Sequence, residues 1–436
     1  GLGITGGDFH MGDSDIAELN GRRNKALGAG TPLFYSEPLH LVRGEGVSLF
    51  DPNGRRYTDM YNNVASVGHC HPHVVEAISR QVSTLNVHSR YLHEGVVTYA
   101  ERLTQKHHDG IECAILTCSG TEANEVALLM ARGATKARGI ICTDAAYHGN
   151  SAAVGCLTRL NPREIKDSAE VRAVSFPDTY RFAGENPCDY YLEELDRTIE
   201  SFKRDDIPFA GMLVCSIFAN EGLPNVPHNY MPQAIKMVHD AGGLFICDEV
   251  QSGLCRTGNW WGYENMGIHP DIATMGKPIG AGVPLAAVAA SRELVEGFRS
   301  QTRYFNTFAS SPLQAAAGNA VLDVIENEGI RDSVKSVGSR LLGQLEQIQE
   351  RCEQIGDVRG VGLFIGMEWV TDRTSKEPDP DGAKKIVNAL KEKGFLISNA
   401  GAYDNMLKIR PPLVFERSDG DAFIEAFQET LHQIYG

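Results

Sequence analysis

The chain has 436 residues, 42% hydrophobic and 22% charged, the balance of a globular protein with a sizeable core and more than one domain. A formal net charge of −15 argues against a nucleic-acid or anionic-membrane surface. No apolar run approaches the length of a bilayer span.

The opening GLGITGGDFHMGDSD lacks the basic and apolar regions of a signal peptide, and the residues before Met11 read as an expression leader. Residues 39–61 (LHLVRGEGVSLFDPNGRRYTDMY) read as a β-meander with a PNG turn. From about residue 95 to residue 290, short apolar runs alternate with helical patterns. CAILTC (113–118) precedes the amphipathic stretch TEANEVALLMARGATKA, and RGIICTD (138–144), GMLVCSIF (211–218), GLFICDEV (243–250) and DIATMG (271–276) read as buried strands. MPQAIKMVHDAG (231–242) is a helix stopped by glycine. Such alternation predicts an α/β fold with a largely parallel sheet covered by helices on both faces. Amphipathic helices are expected over 331–355 and 382–395, separated by the strand pattern VRGVGLFIGMEWV. The simplest division is a large domain over 66–330 and a small α+β domain built from 11–65 and 331–436.

The ten cysteines are scattered, with no C-x-x-C pair, and several lie in apolar runs such as LFICD. Reduced thiols in a cytoplasmic protein are expected, rather than disulfides or a metal site.

Ligands of open parallel sheets bind beyond the carboxyl ends of the strands, so those ends carry the functional argument. After CAILTC, Ser119-Gly120-Thr121 opens a helix, where free N–H groups and hydroxyls suit a phosphate; a simple N-cap explains the same residues. After RGIICTD comes Tyr147-His148-Gly149, an aromatic that could stack on a flat ring or serve as core or rim. LFICD ends in Asp248, a carboxylate that needs a cationic partner if buried; a protonated pyridine nitrogen qualifies, and so does a loop salt bridge. IATMGKPIGAG places Lys277 in a glycine-rich turn, either as a surface lysine or as an amine able to lose its proton and form a Schiff base. Phosphate cup, aromatic plate, strand-end Asp and turn lysine together describe one ligand, pyridoxal 5′-phosphate.

The stretch FICDEVQSGLCRTGNWWGYENMGIHPDIATMGKPIGAG resembles the signature of class III (fold type I) pyridoxal-phosphate aminotransferases. SGTEANEVALLMAR, YHG, NVASVGHCHPHVVEAI and FNTFASSPLQ resemble the same family, and the match runs from about residue 40 to residue 430. A dinucleotide-binding reading fails, because no G-x-G-x-x-G follows an early strand. The resemblance implies Lys277 as the Schiff-base lysine, Asp248 on the pyridine nitrogen, Gln251 on the ring hydroxyl, and Tyr147, with His148 beside it, against the ring. It also implies Gly120 and Thr121 in the phosphate cup, completed by Thr307 from the neighbouring subunit of a homodimer. Arg410, in LKIRPPLVF, aligns with an arginine that grips a substrate carboxylate; its alternative is a surface salt bridge. Relatives carry Glu-Pro-x-Gln-Gly after the strand aligned with GMLVCSIF, and in some that Glu pairs with the arginine. Here Cys215 takes its place, and Glu221 aligns away from it. Phe34, Tyr35, Arg90 and Trp261 are the remaining pocket candidates.

Amino transfer from an amine or ω-amino acid to a keto acid is the first expectation, as the family's commonest activity. NNVASVGHCHPHVVEAI, LNVHSRYLHE, IGDVRGVGLFIG and MLKIRPP resemble the branch containing ethanolamine-phosphate and phosphohydroxylysine phospho-lyases. Elimination of phosphate from a phosphorylated amine is therefore the second. A non-catalytic cofactor-holding protein is a third, disfavoured by the intact Lys277, Asp248 and Tyr147.

Overall fold

The computed structural model of the protein describes residues 15–158 and 168–436; the expected leader and residues 11–14 of the first small-domain segment lie outside the described residues. Strands β1 (Arg43–Glu45), β2 (Ser48–Phe50) and β3 (Arg56–Asp59) form the expected antiparallel meander. Asp51 Oδ1 closes its PNG turn by accepting the N–H groups of Asn53 and Arg55, each at 2.9 Å.

Seven further strands follow: β4 (Cys113–Thr117), β5 (Gly139–Thr143), β6 (Val171–Val174), β7 (Phe209–Val214), β8 (Leu244–Asp248), β9 (Ile272–Met275) and β10 (Ala286–Ala290). They form one sheet in the order β4-β10-β9-β8-β7-β5-β6. The pairs from β9 to β6 are parallel, whereas β10 runs antiparallel to both β4 and β9. The sequence pattern missed β10 because AAVAA is poor in strand-favouring side chains. Its buried position between β4 and β9 supplies the stability that propensity does not.

Adjacent residues of each parallel strand face opposite layers. Ile140 and Cys142 pack with Ala123, Val126 and Ala127 of the helix Gly120–Thr135, while Ile141 joins the layer of Leu195 and Phe202 from the helix Pro187–Arg204. Both sheet faces are therefore apolar, which explains the unbroken hydrophobic runs in the sequence. Each such side chain contributes on the order of 1.5–3 kcal/mol when fully buried.

The last group comprises β11 (Ile355–Val361), β12 (Phe364–Asp372), β13 (Glu377–Pro378), β14 (Phe395–Leu396), β15 (Ser398–Ala400) and β16 (Met406–Ile409). An antiparallel sheet runs β11-β12-β16-β15, with β13 beside β12. β14 pairs in parallel with β3, so the two ends of the chain share a sheet. The helices expected nearby span Ile330–Gln349 and Pro380–Glu392. No described helix is long and apolar enough to cross a membrane.

Two strand readings change. VRGVGLFIGMEWV is a hairpin, not one strand, because Gly362 turns the chain at φ +58°. GMLVCSIF leaves the sheet after Val214: Phe218 N–H donates to the Cys215 carbonyl at 2.9 Å, and Phe218 is left-handed at φ +52°. That early exit puts Cys215 at a strand's carboxyl end.

The hairpin turn anchors the region that follows it. Arg256, 2% exposed, donates from Nη1 to the Leu363 carbonyl at 2.9 Å and also to the Pro411 carbonyl, tying the turn to the residue after Arg410. The helix Ile330–Gln349 lies against this turn, and a Cβ at Gly338 would stand 2.0 Å from the Gly362 carbonyl oxygen. Gly338→Ala is therefore expected to destabilise the protein by about 1–3 kcal/mol through overpacking. Gly343→Ala, with nothing within 4 Å of its added methyl, should instead be neutral or stabilising. Thermal unfolding of the two variants checks this; equal midpoints would contradict the close helix-to-turn contact.

Candidate active site

The carboxyl ends of β4, β5, β7, β8 and β9 open onto a cleft of about 610 Å³. Ser119, Gly120 and Thr121 line one end, at the start of the helix Gly120–Thr135. The capping reading holds here: Ser119 Oγ accepts the Glu122 N–H at 3.1 Å, and Glu122 Oε2 accepts the Cys118 N–H at 2.8 Å. Capping leaves the N–H groups of Gly120 and Thr121 in the first turn, where the helix has no acceptor for them. They face the cleft with the positive end of the helix dipole, an arrangement suited to a phosphate. Gly149 comes in closely at φ +144°; a Cβ there would meet Thr121 Oγ1 at 2.5 Å.

Asp248 closes the β8 end of the cleft at 5% exposure. Its Oδ2 accepts from His148 Nδ1 at 2.8 Å and from Asn124 Nδ2 at 3.0 Å, and its Oδ1 accepts the Val250 N–H at 3.0 Å. Asn124 Nδ2 also donates to the His148 carbonyl at 2.8 Å, and Asn124 Oδ1 accepts from Thr274 Oγ1 at 2.8 Å. No lysine or arginine pairs with Asp248 among the described residues, so the loop salt bridge is absent. Tyr147 and Val250 also line the cleft, and the Tyr147 hydroxyl accepts from Asn150 Nδ2 at 2.9 Å.

Lys277 begins the short 3-10 turn Lys277–Gly280 directly after β9. The unusual backbone falls on the lysine itself, at φ +41°, while Gly276 is extended. Ser66 Oγ donates to the Pro278 carbonyl at 2.9 Å and pins the turn. The side chain projects into the cleft, where solvent reaches it although dense protein surrounds it. Desolvation, followed by repulsion from Arg410, lowers its pKa to about 8, against the pull of Asp248 and Cys215.

Arg410 leaves β16 at 9% exposure and makes no ion pair among the described residues, so it is not a surface salt bridge. Its Nε donates to the Tyr61 carbonyl at 2.8 Å, its Nη1 donates to Gln251 Oε1 at 2.6 Å, and its guanidinium lies 4.1 Å over the Tyr61 ring. Gln251 lines the main cleft, whereas Arg410 does not and borders a second cavity of about 940 Å³ with Phe34, Tyr35 and Tyr61. Tyr35 donates from its hydroxyl to the Ile397 carbonyl at 3.1 Å. Arg410 thus stands between the main cleft and an aromatic-lined chamber.

Cys215 lines the cleft as expected, and its thiol is pushed up to about 12 by burial, so it is uncharged. Glu221, although it does not align with the relatives' glutamate, lines the same cleft as Cys215. The early end of β7 and the turn at Phe218 bring it back. Its Oε1 accepts from Thr143 Oγ1 at 3.0 Å, and burial raises its pKa to about 7 despite the opposing charges of His148 and Lys408. Asn220 and Lys408 also belong to this region, and pattern reasoning named neither. Lys408 carried a signal, since a lysine inside an apolar strand is as conspicuous as Lys277.

Three expected residues stand elsewhere. Trp261 is a correction: it is fully buried, stacked on His107 at 4.2 Å, and its Nε1 donates to the Lys106 carbonyl at 3.0 Å. Its apolar surface is spent on the core, so it does not line the cleft. Arg90 is exposed, with its guanidinium 4.6 Å over the Phe305 ring, and Thr307 is exposed nearby in sequence. Neither lines this chain's own cleft.

These residues fit a flat, phosphate-bearing aldehyde: anion-binding N–H groups at one end, a carboxylate at the other, and an amine with a lowered pKa between them. His148 Nε2 and Glu221 Oε2 are buried without a protein partner, so polar capacity remains at the Asp248 end.

Residues 35–431 match the family model of aminotransferase class III. A Drosophila melanogaster protein named alanine–glyoxylate aminotransferase 2-like is 36% identical over 423 residues, covering 94% of this chain and 86% of the relative. A Caenorhabditis elegans protein named ethanolamine-phosphate phospho-lyase homolog 1 is 32% identical over 439 residues, covering 95% of this chain and 93% of the relative. A solved phospholyase from Arthrobacter, in complex with phosphoethanolamine, is 39% identical with a TM-score of 0.93, covering 95% of this chain and 100% of that one. Strand-end chemistry, fold and whole-length similarity converge: the chain belongs to the class III aminotransferase family, has its fold type I architecture, and uses pyridoxal 5′-phosphate as cofactor.

Proposed function

We propose that this protein is a phospho-lyase that eliminates phosphate from a small phosphorylated amine such as phosphoethanolamine. The observation that carries the reading is Arg410, a buried guanidinium with no carboxylate partner among the described residues. A cation in that setting favours a substrate that brings an anion at every turnover. Amino transfer alternates two substrates in one site, so a standing anion site needs a switch whenever one of them lacks the anion. Cys215, buried and uncharged, offers no such switch. A phosphorylated amine is one substrate carrying its own anion, and its two charges match a region already crowded by Arg410, Lys408 and Lys277. Similarity to the Arthrobacter phospholyase supports the same reading. The order of the two sequence expectations is reversed on these grounds.

Ser119, Gly120 and Thr121 hold the cofactor phosphate in this reading, with Tyr147 and His148 beside the ring, Asp248 toward the ring nitrogen and Gln251 toward the ring oxygen. Pyridoxal phosphate, when bound, supplies an electron sink for the bond broken at the amine-bearing carbon. Lys277 Nζ takes the proton from that carbon. Arg410 grips the substrate phosphate and stabilises its charge as the neighbouring carbon–oxygen bond breaks. From phosphoethanolamine and water the products are acetaldehyde, ammonia and inorganic phosphate.

Amino transfer to a keto acid is the second reading, favoured by the Drosophila relative's name and by the equal fit of a carboxylate to Arg410. In either reading the enzyme acts as a homodimer, with Thr307 and Arg90 serving the partner's cleft. Leu92, 99% exposed, and Phe308, 78% exposed, lie near these residues in sequence and support a covered face. The ten free cysteines support a reducing, cytoplasmic setting.

The cofactor-loaded protein should release phosphate from phosphoethanolamine with no keto acid present; strict dependence on pyruvate or a similar acceptor would establish amino transfer instead. Arg410→Gln should lower kcat/KM for the phosphorylated amine by about 100-fold or more, as expected for removing one partner of a buried charge pair. An Arg410→Gln variant with unchanged kcat/KM would remove Arg410 from substrate binding. Lys277 must be neutral to attack the cofactor aldehyde, and its pKa is lowered to about 8. The rate at which apoprotein captures pyridoxal phosphate should therefore rise with pH and level off above about 8, dropping about tenfold per unit below it. Stopped-flow absorbance reads this profile, and a flat profile between pH 6 and 9 (values of about this range) would contradict the lowered pKa.

A further inference from the structure

Gln251 is held by two cations. Its Oε1 accepts from Arg410 Nη1 at 2.6 Å and from Lys408 Nζ at 3.2 Å. The Arg410 guanidinium has no acceptor, so the reversed amide would turn its own NH2 against it. Only one orientation satisfies both contacts, and it leaves Nε2 as the free end in a residue that lines the cleft beside Asp248 and Lys277.

Lys408 has no other evident use. It is 3% exposed on β16, makes no ion pair among the described residues, and has the Phe364 ring of β12 at 5.4 Å. Arg410 from its own strand and Lys277 from the turn after β9 oppose its charge, while Cys215 and Glu221 from the loop after β7 favour it. A buried ammonium among cations is unfavourable, and an apolar side chain would fill the position at lower cost. Arg410 is the weaker anchor in function, because a substrate anion competes for its guanidinium while Nε stays on the Tyr61 carbonyl.

We infer that Lys408 is a positioning residue: it holds the Gln251 amide so that its N–H faces the cofactor's ring oxygen, and it maintains that orientation when Arg410 engages a substrate anion. The inference rests on the cofactor and on Gln251 as its ring-oxygen contact, not on the choice between elimination and amino transfer.

The test uses cofactor-loaded protein and follows the pH midpoint of the bound cofactor's visible absorbance, with and without propanoate, an anion that carries no amine. Lys408→Met is expected to move the midpoint by about half a pH unit or more, and further with propanoate present. Lys408→Arg, which keeps a donor, should stay within about 0.2 unit of the parent. In a Gln251→Leu background, Lys408→Met should add less than about 0.2 unit, because its effect passes through the missing amide. An unmoved midpoint in Lys408→Met, with or without propanoate, overturns the inference. So does a shift that persists undiminished in the Gln251→Leu background, since Lys408 would then act by charge alone. A purely structural Lys408 would change the thermal midpoint and leave the absorbance midpoint in place. Should Lys408→Met fail to hold cofactor, Gln251→Glu decides: its carboxylate is drawn to Lys408 and Arg410 with no N–H left to give. The midpoint must then move, and an unmoved one rejects the role of the amide.

Discussion

Charge is separated across one buried cleft, and much of the molecule serves that separation. Lys277, Lys408 and Arg410 stand on one side, each lowering the proton affinity of a neighbour. On the other, Asp248 is held by hydrogen bonds from His148, Asn124 and the Val250 N–H, with no lysine or arginine paired to it among the described residues. Unpaired buried charges are costly, so such an arrangement is maintained only where ligands complete it. In the proposed reading a protonated ring nitrogen would answer Asp248, and an anionic substrate would answer Arg410. The lowered pKa of Lys277 follows from desolvation first and from repulsion by Arg410 second, and gives it a neutral fraction near physiological pH.

The scaffold holds these charges apart by topology. Parallel strands deliver Cys118, Cys215, Asp248 and Gly276 to one edge of the seven-stranded sheet, each just at or past a carboxyl end. Arg410 comes from a different sheet, and its position depends on Arg256 joining the Leu363 and Pro411 carbonyls. Gln251, which lines the cleft, is therefore the residue that joins the cleft to the second sheet, through Lys408 and Arg410.

Pattern reading placed residues best at strand ends. Asp248 closes LFICD, Ser119 opens the helix after CAILTC, and Lys277 follows DIATM; all three are local features of a few residues. Patterns failed where a distant partner decides. AAVAA becomes a central strand only because β4 and β9 flank it. Trp261 resembles an aromatic pocket residue until His107, far off in the chain, covers its face. Glu221 enters the cleft because β7 ends early and Phe218 adopts a left-handed backbone, a turn no hydrophobic pattern marks.

The linear sequence determined the fold type, the cofactor and the turn that carries Lys277, because short-range motifs and hydrophobic periodicity encode strand ends and helix starts directly. Tertiary structure decided what surrounds them. It paired Gln251 with both Lys408 and Arg410 across more than 150 residues of chain, at separations of 157 and 159 positions. It left Arg410 without a carboxylate partner among the described residues and set Glu221 in the same cleft as Cys215. Electrostatic environments of this kind depend on distance through space and on exclusion of water, and neither quantity can be read from order along the chain.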